Sequence, residues 1–235
     1  MFPIRDHNPS EQTPYVTWGL IALNIAVFLW LYAGAGSPMA RDYAIYQWGM
    51  IPARLSHGQG FSTLITAMFL HGGWWHLAGN MLFLWIFGDN LEAAFGRVRF
   101  LGFYLSCGIA AALAQFAAEP NAMSPVIGAS GAIAGVLGGY LLLYPKARID
   151  VLFIFIVFFR VFQISAWIVL SLWLGLQVFD FAGNANGSIA YWEHFGGFAM
   201  GLLLTLPAKL RQKPALALSD PPARKTTISV VRRRQ

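Results

Sequence analysis

Charged residues are scarce in this 235-residue chain. They make up 11% of it, whereas hydrophobic residues make up 57%. Soluble domains carry roughly a quarter charged residues. The scarcity of charge therefore excludes a soluble globular domain and indicates an integral membrane protein.

Cysteine is almost absent as well. Cys107 is the single cysteine of the chain. An internal disulfide is thereby excluded, and within an apolar segment we expect this thiol to be a small core residue.

Six long stretches of the chain are nearly free of charge. A helix needs about 20 mainly apolar residues to cross the hydrocarbon of a bilayer. The predicted fold class is therefore an all-α membrane protein, a bundle of six transmembrane helices. The predicted spans are residues 15–34, 75–94, 100–117, 126–145, 161–179 and 188–207. They form one membrane domain, 15–207, between a short N-terminal segment, 1–14, and a basic tail, 208–235, which we expect to be disordered.

Three further segments fall outside these spans. Residues 61–70 precede a Gly-Gly break and are predicted to form a short helix of the outer loop. Residues 36–60 carry turn formers and aromatic side chains, so they form either an interfacial segment or an ordinary loop with an aromatic belt. The apolar run 149–159 is too short to cross, and it either lies along the inner interface or extends the fifth span.

The positive charges are distributed unevenly, which indicates an orientation. The net charge is +6, and eight of the sixteen Lys and Arg residues lie in 208–235. With six spans, fourteen basic residues face one side and two, Arg41 and Arg54, face the other. The positive-inside rule then places both termini in the cytoplasm. This pattern argues against nucleic acid as a partner. The tail is expected to be a solvated cytoplasmic segment, with contact to anionic membrane lipid as the lesser alternative, and no obligate protein partner is evident.

Small residues mark where two of the predicted helices can pack closely. Glycines recur every fourth residue from Gly131 to Gly139, and Gly197 and Gly201 repeat the spacing on the last span. Such ridges let helices approach to backbone contact. Ser130 stands at the head of the first ridge, where a serine is either a small packing residue or a nucleophile.

Four polar residues on three spans share one depth. Counted from the inner ends at ~1.5 Å per residue, Ser130 lies at roughly 22 Å and His194 at roughly 20 Å. Asn80 lies at about 25 Å on the same scale, and His76 shares its helix face because four residues separate them. As an isolated pair, His76 and Asn80 could equally be hydrogen-bonding links between helices. The common depth of all four residues favours a functional site over simple links between helices.

The set is chemically sufficient for acyl transfer. Imidazole can take the proton of a serine hydroxyl near neutral pH, so His194 is the candidate base for Ser130. The Asn80 amide, the His76 ring and a backbone N–H at the helix start could stabilise an oxyanion. Glu193 projects about 100° away from His194 on a helix. We therefore expect a two-residue dyad rather than a triad.

Three segments carry a resemblance to a known family. They are HGGWWHLAGN at 71–80, GASG at 128–131 and EHFGGFAMG at 193–201. Together they resemble the signature segments of rhomboid intramembrane serine proteases of the bacterial six-span type. The resemblance implies a six-span core with Ser130 as nucleophile, His194 as its base, and His76 and Asn80 at the oxyanion site. It also implies hydrolysis of peptide bonds in or near transmembrane segments of membrane-protein substrates, without metal or cofactor.

Two alternative functions remain to be weighed. A non-catalytic rhomboid-like protein that binds membrane clients would typically lack the serine or the histidine, and both are present here. A transporter would be expected to show an inverted repeat or a buried carboxylate relay, neither of which is evident.

One departure from the family pattern is Glu193, since a small residue usually precedes the histidine.

Overall fold

Helices account for most of the structure. A computed structural model describes residues 2–8, 10, 12–155, 158–183 and 191–211. Within these ranges the chain forms nine helices, a short 3-10 turn at Ala67–Phe69, and one small sheet. The helices are α1 (Tyr15–Gly34), α2 (Pro38–Trp48), α3 (Pro52–Ser56), α4 (Thr63–Thr66), α5 (Trp74–Phe95), α6 (Arg97–Ala118), α7 (Ser130–Leu143), α8 (Ala166–Gly183) and α9 (Tyr191–Arg211).

Six of these helices lie where the sequence predicts spans. α1, α5 and α6 match the predicted bounds within three residues, whereas α7 has only 14 residues. Among the described residues, α1 and α6 are long and apolar enough to cross a membrane by length and composition. α7 and the Ala166–Phe179 part of α8 are shorter apolar helices. The six helices are therefore observed, and six membrane crossings stay a prediction.

A three-stranded antiparallel sheet corrects the all-α fold class. Its strands, in sheet order, are β1 (Phe2–Asp6), β2 (Arg148–Phe155) and β3 (Phe158–Ser165). The described part of the run 149–159 thus forms strands and does not extend the helix of the fifth span, and α8 begins later than residue 161. Its position along the inner interface stays a prediction. β-Branched and aromatic residues favour strands, and the fully buried Ile149 and Val151 follow the two-residue period of a strand.

The segment after α1 is more regular than a loop. The Oγ of Ser37 accepts a hydrogen bond from the Ala40 N–H at 3.2 Å, and proline occupies the first position of α2. Both features favour a helix start. Met39 and Tyr43 on α2 are 82% and 68% exposed. The predicted short helix 61–70 is observed as α4 followed by the 3-10 turn.

A buried glutamate fixes the start of α1 to α5. Glu92 accepts hydrogen bonds from the backbone N–H groups of Val16 (3.0 Å) and Thr17 (2.8 Å), and from the Thr17 hydroxyl (2.8 Å). A carboxylate at a helix N-terminus satisfies free N–H groups and interacts favourably with the helix dipole. This contact ties the first and second long helices together at one end.

The two glycine ridges pack against each other, as predicted. A Cβ placed on Gly197 would collide with the carbonyl oxygen of Gly131, and one on Gly201 would collide with that of Gly135. The offset of 66 residues is the same at both pairs, so α7 and α9 run parallel and in register. The register puts Ser130 opposite Gly196, two residues or about 3 Å along the axis from His194.

The last helix extends beyond its predicted end. α9 continues through Pro207 to Arg211 instead of stopping near the proline. Lys209 and Arg211 occupy the last turn, where positive charge is favourable next to the negative end of the helix dipole. The predicted tail therefore begins inside a helix, and its remainder, 212–235, lies outside the described residues, as does the turn 184–190.

Candidate active site

Ser130 is the first residue of α7, and the loop before it is held in place by backbone hydrogen bonds. Met50 and Val126 exchange two such bonds, of 3.1 and 2.7 Å. The Gly128 N–H donates to the carbonyl oxygen of Ala67 at 2.9 Å. The first-turn N–H groups of a helix have no partner within the helix. Ser130 is thus presented at a fixed helix start beside free backbone donors.

All four residues proposed from the sequence line one cavity. The cavity has a volume of about 880 Å³. α5 contributes His76 and Asn80, α7 contributes Ser130, and α9 contributes His194. Three helices far apart in sequence therefore bring two imidazoles, a hydroxyl and an amide to one cavity.

His194 is held by side chains from α8. Its Nδ1 lies 2.9 Å from the Oε1 of Gln177, and its ring lies 5.8 Å from the ring of Trp173, centroid to centroid. Both α8 residues also line the cavity. Within the described residues, no hydrogen bond joins Ser130 to His194, so the dyad contact that the sequence suggested is not formed in this state. Hydrogen bonds of catalytic groups are often long before substrate binds.

Asn80 is oriented by a histidine that the sequence analysis did not assign. The Nδ2 of Asn80 lies 3.0 Å from the Nε2 of His71, which is fully buried. Because Nδ2 can only donate, this contact uses one of its two hydrogens and leaves the other for a ligand. The rings of His71 and His76 meet edge to face at 5.0 Å. The repeated histidine in HGGWWH was the available sequence signal.

Gly128 leaves open the space beside these donors. Its φ of +128° is in a region that L side chains rarely adopt. A Cβ there would lie 2.7 Å from Nε2 of His76 and 3.6 Å from Nδ2 of Asn80. Glycine is therefore needed for both the backbone conformation and the space.

Glu193 faces α7 rather than His194. The side chain is buried, and a Cβ on Gly131 would lie 2.9 Å from its Oε1. In the part of the chain that the structure describes, Glu193 forms no hydrogen bond to the His194 ring. The expectation that it does not complete a triad is consistent with this placement. The ring's partner is instead Gln177, which the sequence analysis missed because one amide in an apolar helix carries no motif.

The arrangement provides the groups that acyl transfer requires. They are a hydroxyl at a helix start, an imidazole with one nitrogen already engaged, and an amide with a free hydrogen. A nucleophile, a base oriented by a further group, and preorganised donors are the recurring parts of serine hydrolase chemistry.

Comparisons with known proteins identify the family. The Rhomboid domain matches residues 58–210. The chain is 33% identical over 195 residues to "Rhomboid protein 1, mitochondrial" of Saccharomyces cerevisiae, covering 80% of this chain and 51% of that protein. It is 34% identical over 196 residues to "Rhomboid protease GluP" of Bacillus subtilis, covering 83% and 36%. It is 27% identical over 190 residues to "Presenilin-associated rhomboid-like protein, mitochondrial" of Homo sapiens, covering 78% and 48%.

The matches extend over most of this chain but not over the whole of these relatives. The chain spans about half or less of the length of each. The apolar helices and the domain match together indicate an integral membrane protein. The chain belongs to the rhomboid family.

Proposed function

We propose that this protein is an intramembrane serine endopeptidase that cleaves peptide bonds in or near transmembrane segments of other membrane proteins. The observation that carries the proposal is the convergence of Ser130, His194, His76 and Asn80 on one cavity. Polar side chains in membrane helices are costly and usually functional. The meeting of four such side chains from three apolar helices therefore supports a functional site.

The proposed reaction uses Ser130 as nucleophile and His194 as general base. The Oγ of Ser130 attacks the scissile carbonyl carbon while Nε2 of His194 takes the hydroxyl proton. The developing oxyanion is stabilised by the Asn80 amide, the His76 ring and the Ser130 backbone N–H. As the C–N bond breaks, the imidazolium returns the proton to the leaving amine. Water then hydrolyses the acyl-enzyme by the same route.

The proposed setting is a six-span membrane domain with both termini in the cytoplasm. The distribution of fourteen basic residues against two supports this orientation. We propose a bacterial inner (plasma) membrane on the resemblance to bacterial six-span rhomboid proteases, although mitochondrial proteins are among its relatives. The exposed aromatic side chains of α2, Tyr43 and Trp48, support contact of the outer segment with the membrane interface.

A non-catalytic rhomboid-like protein that binds membrane clients is the second candidate. It is favoured by the missing hydrogen bond between Ser130 and His194 in the described residues. The same cavity could then receive a client segment without cleaving it. The two candidates differ in whether Ser130 becomes covalently modified.

Labelling with a fluorophosphonate probe tests the nucleophile. The full chain in liposomes is expected to react, and Ser130→Ala is expected to abolish the reaction. Ser124→Ala is the matched control, because Ser124 lines the same cavity and labelling should persist. Cleavage of a transmembrane model substrate is measured in parallel. Labelling that survives Ser130→Ala would refute the nucleophile, and a wild-type chain that neither labels nor cleaves would favour client binding.

A further inference from the structure

Gln177 is a polar side chain in the mostly apolar helix α8. Its neighbours Leu176 and Val178 are 50% and 51% exposed, as expected of side chains that face lipid. Gln177 itself is half-buried and lines the cavity. An amide in such a helix is costly unless it has a partner, and its partner is the ring of His194.

The hydrogen bond between these residues determines which ring nitrogen is free. The Oε1 of Gln177 lies 2.9 Å from Nδ1 of His194. A carboxamide oxygen can only accept, so with Oε1 assigned to the end of the amide that faces the ring, Nδ1 carries the hydrogen. The neutral ring then has its lone pair on Nε2, which is the form a general base requires.

Trp173 supports the same orientation from one helical turn away. Residues four apart lie on one helix face, and the Trp173 ring is 5.8 Å from the His194 ring. The ring is therefore bounded by an aromatic side chain and fixed in rotation by an amide. Glu193, the carboxyl nearest in sequence, packs against Gly131 instead, so Gln177 is the observed orienting group.

We propose that Gln177 is a positioning residue that holds His194 with Nε2 available to Ser130. This inference rests on the proposed function for its consequence in catalysis, but the hydrogen bond and the ring tautomer do not depend on activity. The role is that of the third group in a catalytic triad, supplied here by a neutral amide from a different helix. A neutral acceptor orients the ring without adding a charge to the apolar interior.

Two substitutions distinguish the effect of the hydrogen-bond acceptor from the effect of side-chain volume. Gln177→Met is nearly isosteric but replaces the strong acceptor by a weak one, whereas Gln177→Glu keeps an acceptor oxygen at the same reach. Leu176→Met is the matched control, since Leu176 is the neighbouring residue on the same helix. All are assayed as full chains in liposomes with a transmembrane model substrate.

The Met variant is expected to lose kcat by about 10- to 100-fold, part of the usual effect of a general base, with KM changed less than about twofold. The Glu variant is expected to recover kcat to within about fivefold of wild type, and the control to be unchanged. A Met variant with wild-type kcat would overturn the proposal. So would a Glu variant as slow as the Met variant when both melt at the wild-type temperature.

Nitrogen-15 NMR of histidine-labelled protein supplies a readout that needs no turnover. Wild type is expected to show a His194 ring protonated at Nδ1, and Gln177→Met to show that signal lost or mixed with the other tautomer. His194→Gln identifies the resonance. An unchanged tautomer in the Met variant would overturn the positioning role even in an active enzyme. An inactive wild type that shows the Gln177-dependent tautomer would leave the contact standing while the proposed function fails.

Discussion

Two groups of polar side chains share α5 and α7 but differ in how fully they are hydrogen-bonded. The group that we name the β1 cluster lies where β1 meets these helices. It comprises Asp6, Asn8, Asp89, Asn90 and Tyr140. Asn90 links the cluster: its Oδ1 accepts from Asn8 at 2.6 Å, and its Nδ2 donates to Asp6 at 2.9 Å. Tyr140 donates to the same Asp6 oxygen at 2.8 Å.

The cavity is less fully hydrogen-bonded, although Asn80 and His194 each have a partner. Among the described residues, the Ser130 hydroxyl forms no hydrogen bond, and the buried Oε1 of Gln115, which also lines the cavity, lacks a partner. Ser130 and Tyr140 lie ten residues or about 15 Å apart on one helix. Satisfied polar networks rigidify a fold, whereas unpaired groups around a cavity are free for a ligand. We therefore assign a structural role to the β1 cluster and a chemical role to the cavity, although both lie on α5 and α7.

The largest effect on cleavage is expected from removing His194, the proposed general base. His194→Ala should reduce cleavage of a transmembrane model substrate to background while the protein stays folded, because His194 is the proposed base for Ser130. Cleavage is measured by gel, and folding by thermal melting. His57→Ala, on an exposed histidine outside the cavity, is the control. Retained turnover in His194→Ala would mean that another base operates.

Gly128→Ala is expected to lower kcat by about 100-fold or more, the usual effect of losing an oxyanion donor. The new methyl group would occupy the space beside His76 and Asn80 and would require an unfavourable φ. Gly175→Ala is the control, since a Cβ there meets nothing within 4 Å. Initial rates over a range of substrate concentrations give kcat. Wild-type kcat in Gly128→Ala would show that this space is not used in the reaction.

Asn80 and Asn90 provide a direct test of the comparison because both are buried asparagines of α5. Asn80→Ala should lower turnover by tenfold or more, given the ~10²-fold effect typical of an oxyanion donor. Asn90→Ala should destabilise the fold by about 1–3 kcal/mol, because it leaves buried polar partners unpaired, with little change in turnover per folded molecule. Turnover and denaturant unfolding are measured for both. An unchanged rate in Asn80→Ala would remove Asn80 from the oxyanion role.

The smallest effect concerns pH. Burial raises the pKa of Asp6 above its ordinary value, outweighing the hydrogen bonds from Tyr140 and Asn90 that lower it. The folded state therefore binds this proton more tightly than the unfolded state, so the stabilising contribution is present at acid pH and is lost as pH rises through the raised pKa. Melting temperatures are measured from acid to neutral pH. The melting temperature of Asp6→Asn is expected to increase relative to that of wild type as pH rises. A difference independent of pH would contradict the raised pKa.

The sequence predicted the helices better than the segments between them. The observed bounds of α1, α5 and α6 match the predicted ones. A long charge-free segment in a membrane must satisfy its own backbone hydrogen bonds, and a helix does so. The strands in the run 149–159 were not predicted, because a short apolar stretch has the same composition in a strand, an interfacial segment or a helix extension. β1, one of the two strands that pair with β2, lies nearly 150 residues earlier, and pairing over that distance leaves no local pattern.

The site was predictable to the extent that each residue belonged to a recognisable motif. Ser130, His194, His76 and Asn80 were named from the sequence, and the structure brings them to one cavity. Gln177 and the orienting role of His71 were not, since a hydrogen bond between side chains on different elements depends on how those elements pack.

The sequence alone determined the hydrophobic character of the chain, the positions of its long helices and the glycine ridges, because these follow from composition and local spacing. The tertiary structure decided the register of α7 on α9, the strand that β1 adds to the hairpin, and the partner of each imidazole. The reason is physical: the period of a helix is set within a few residues, whereas the direction in which a histidine ring faces is set by whatever side chain lies across the interface.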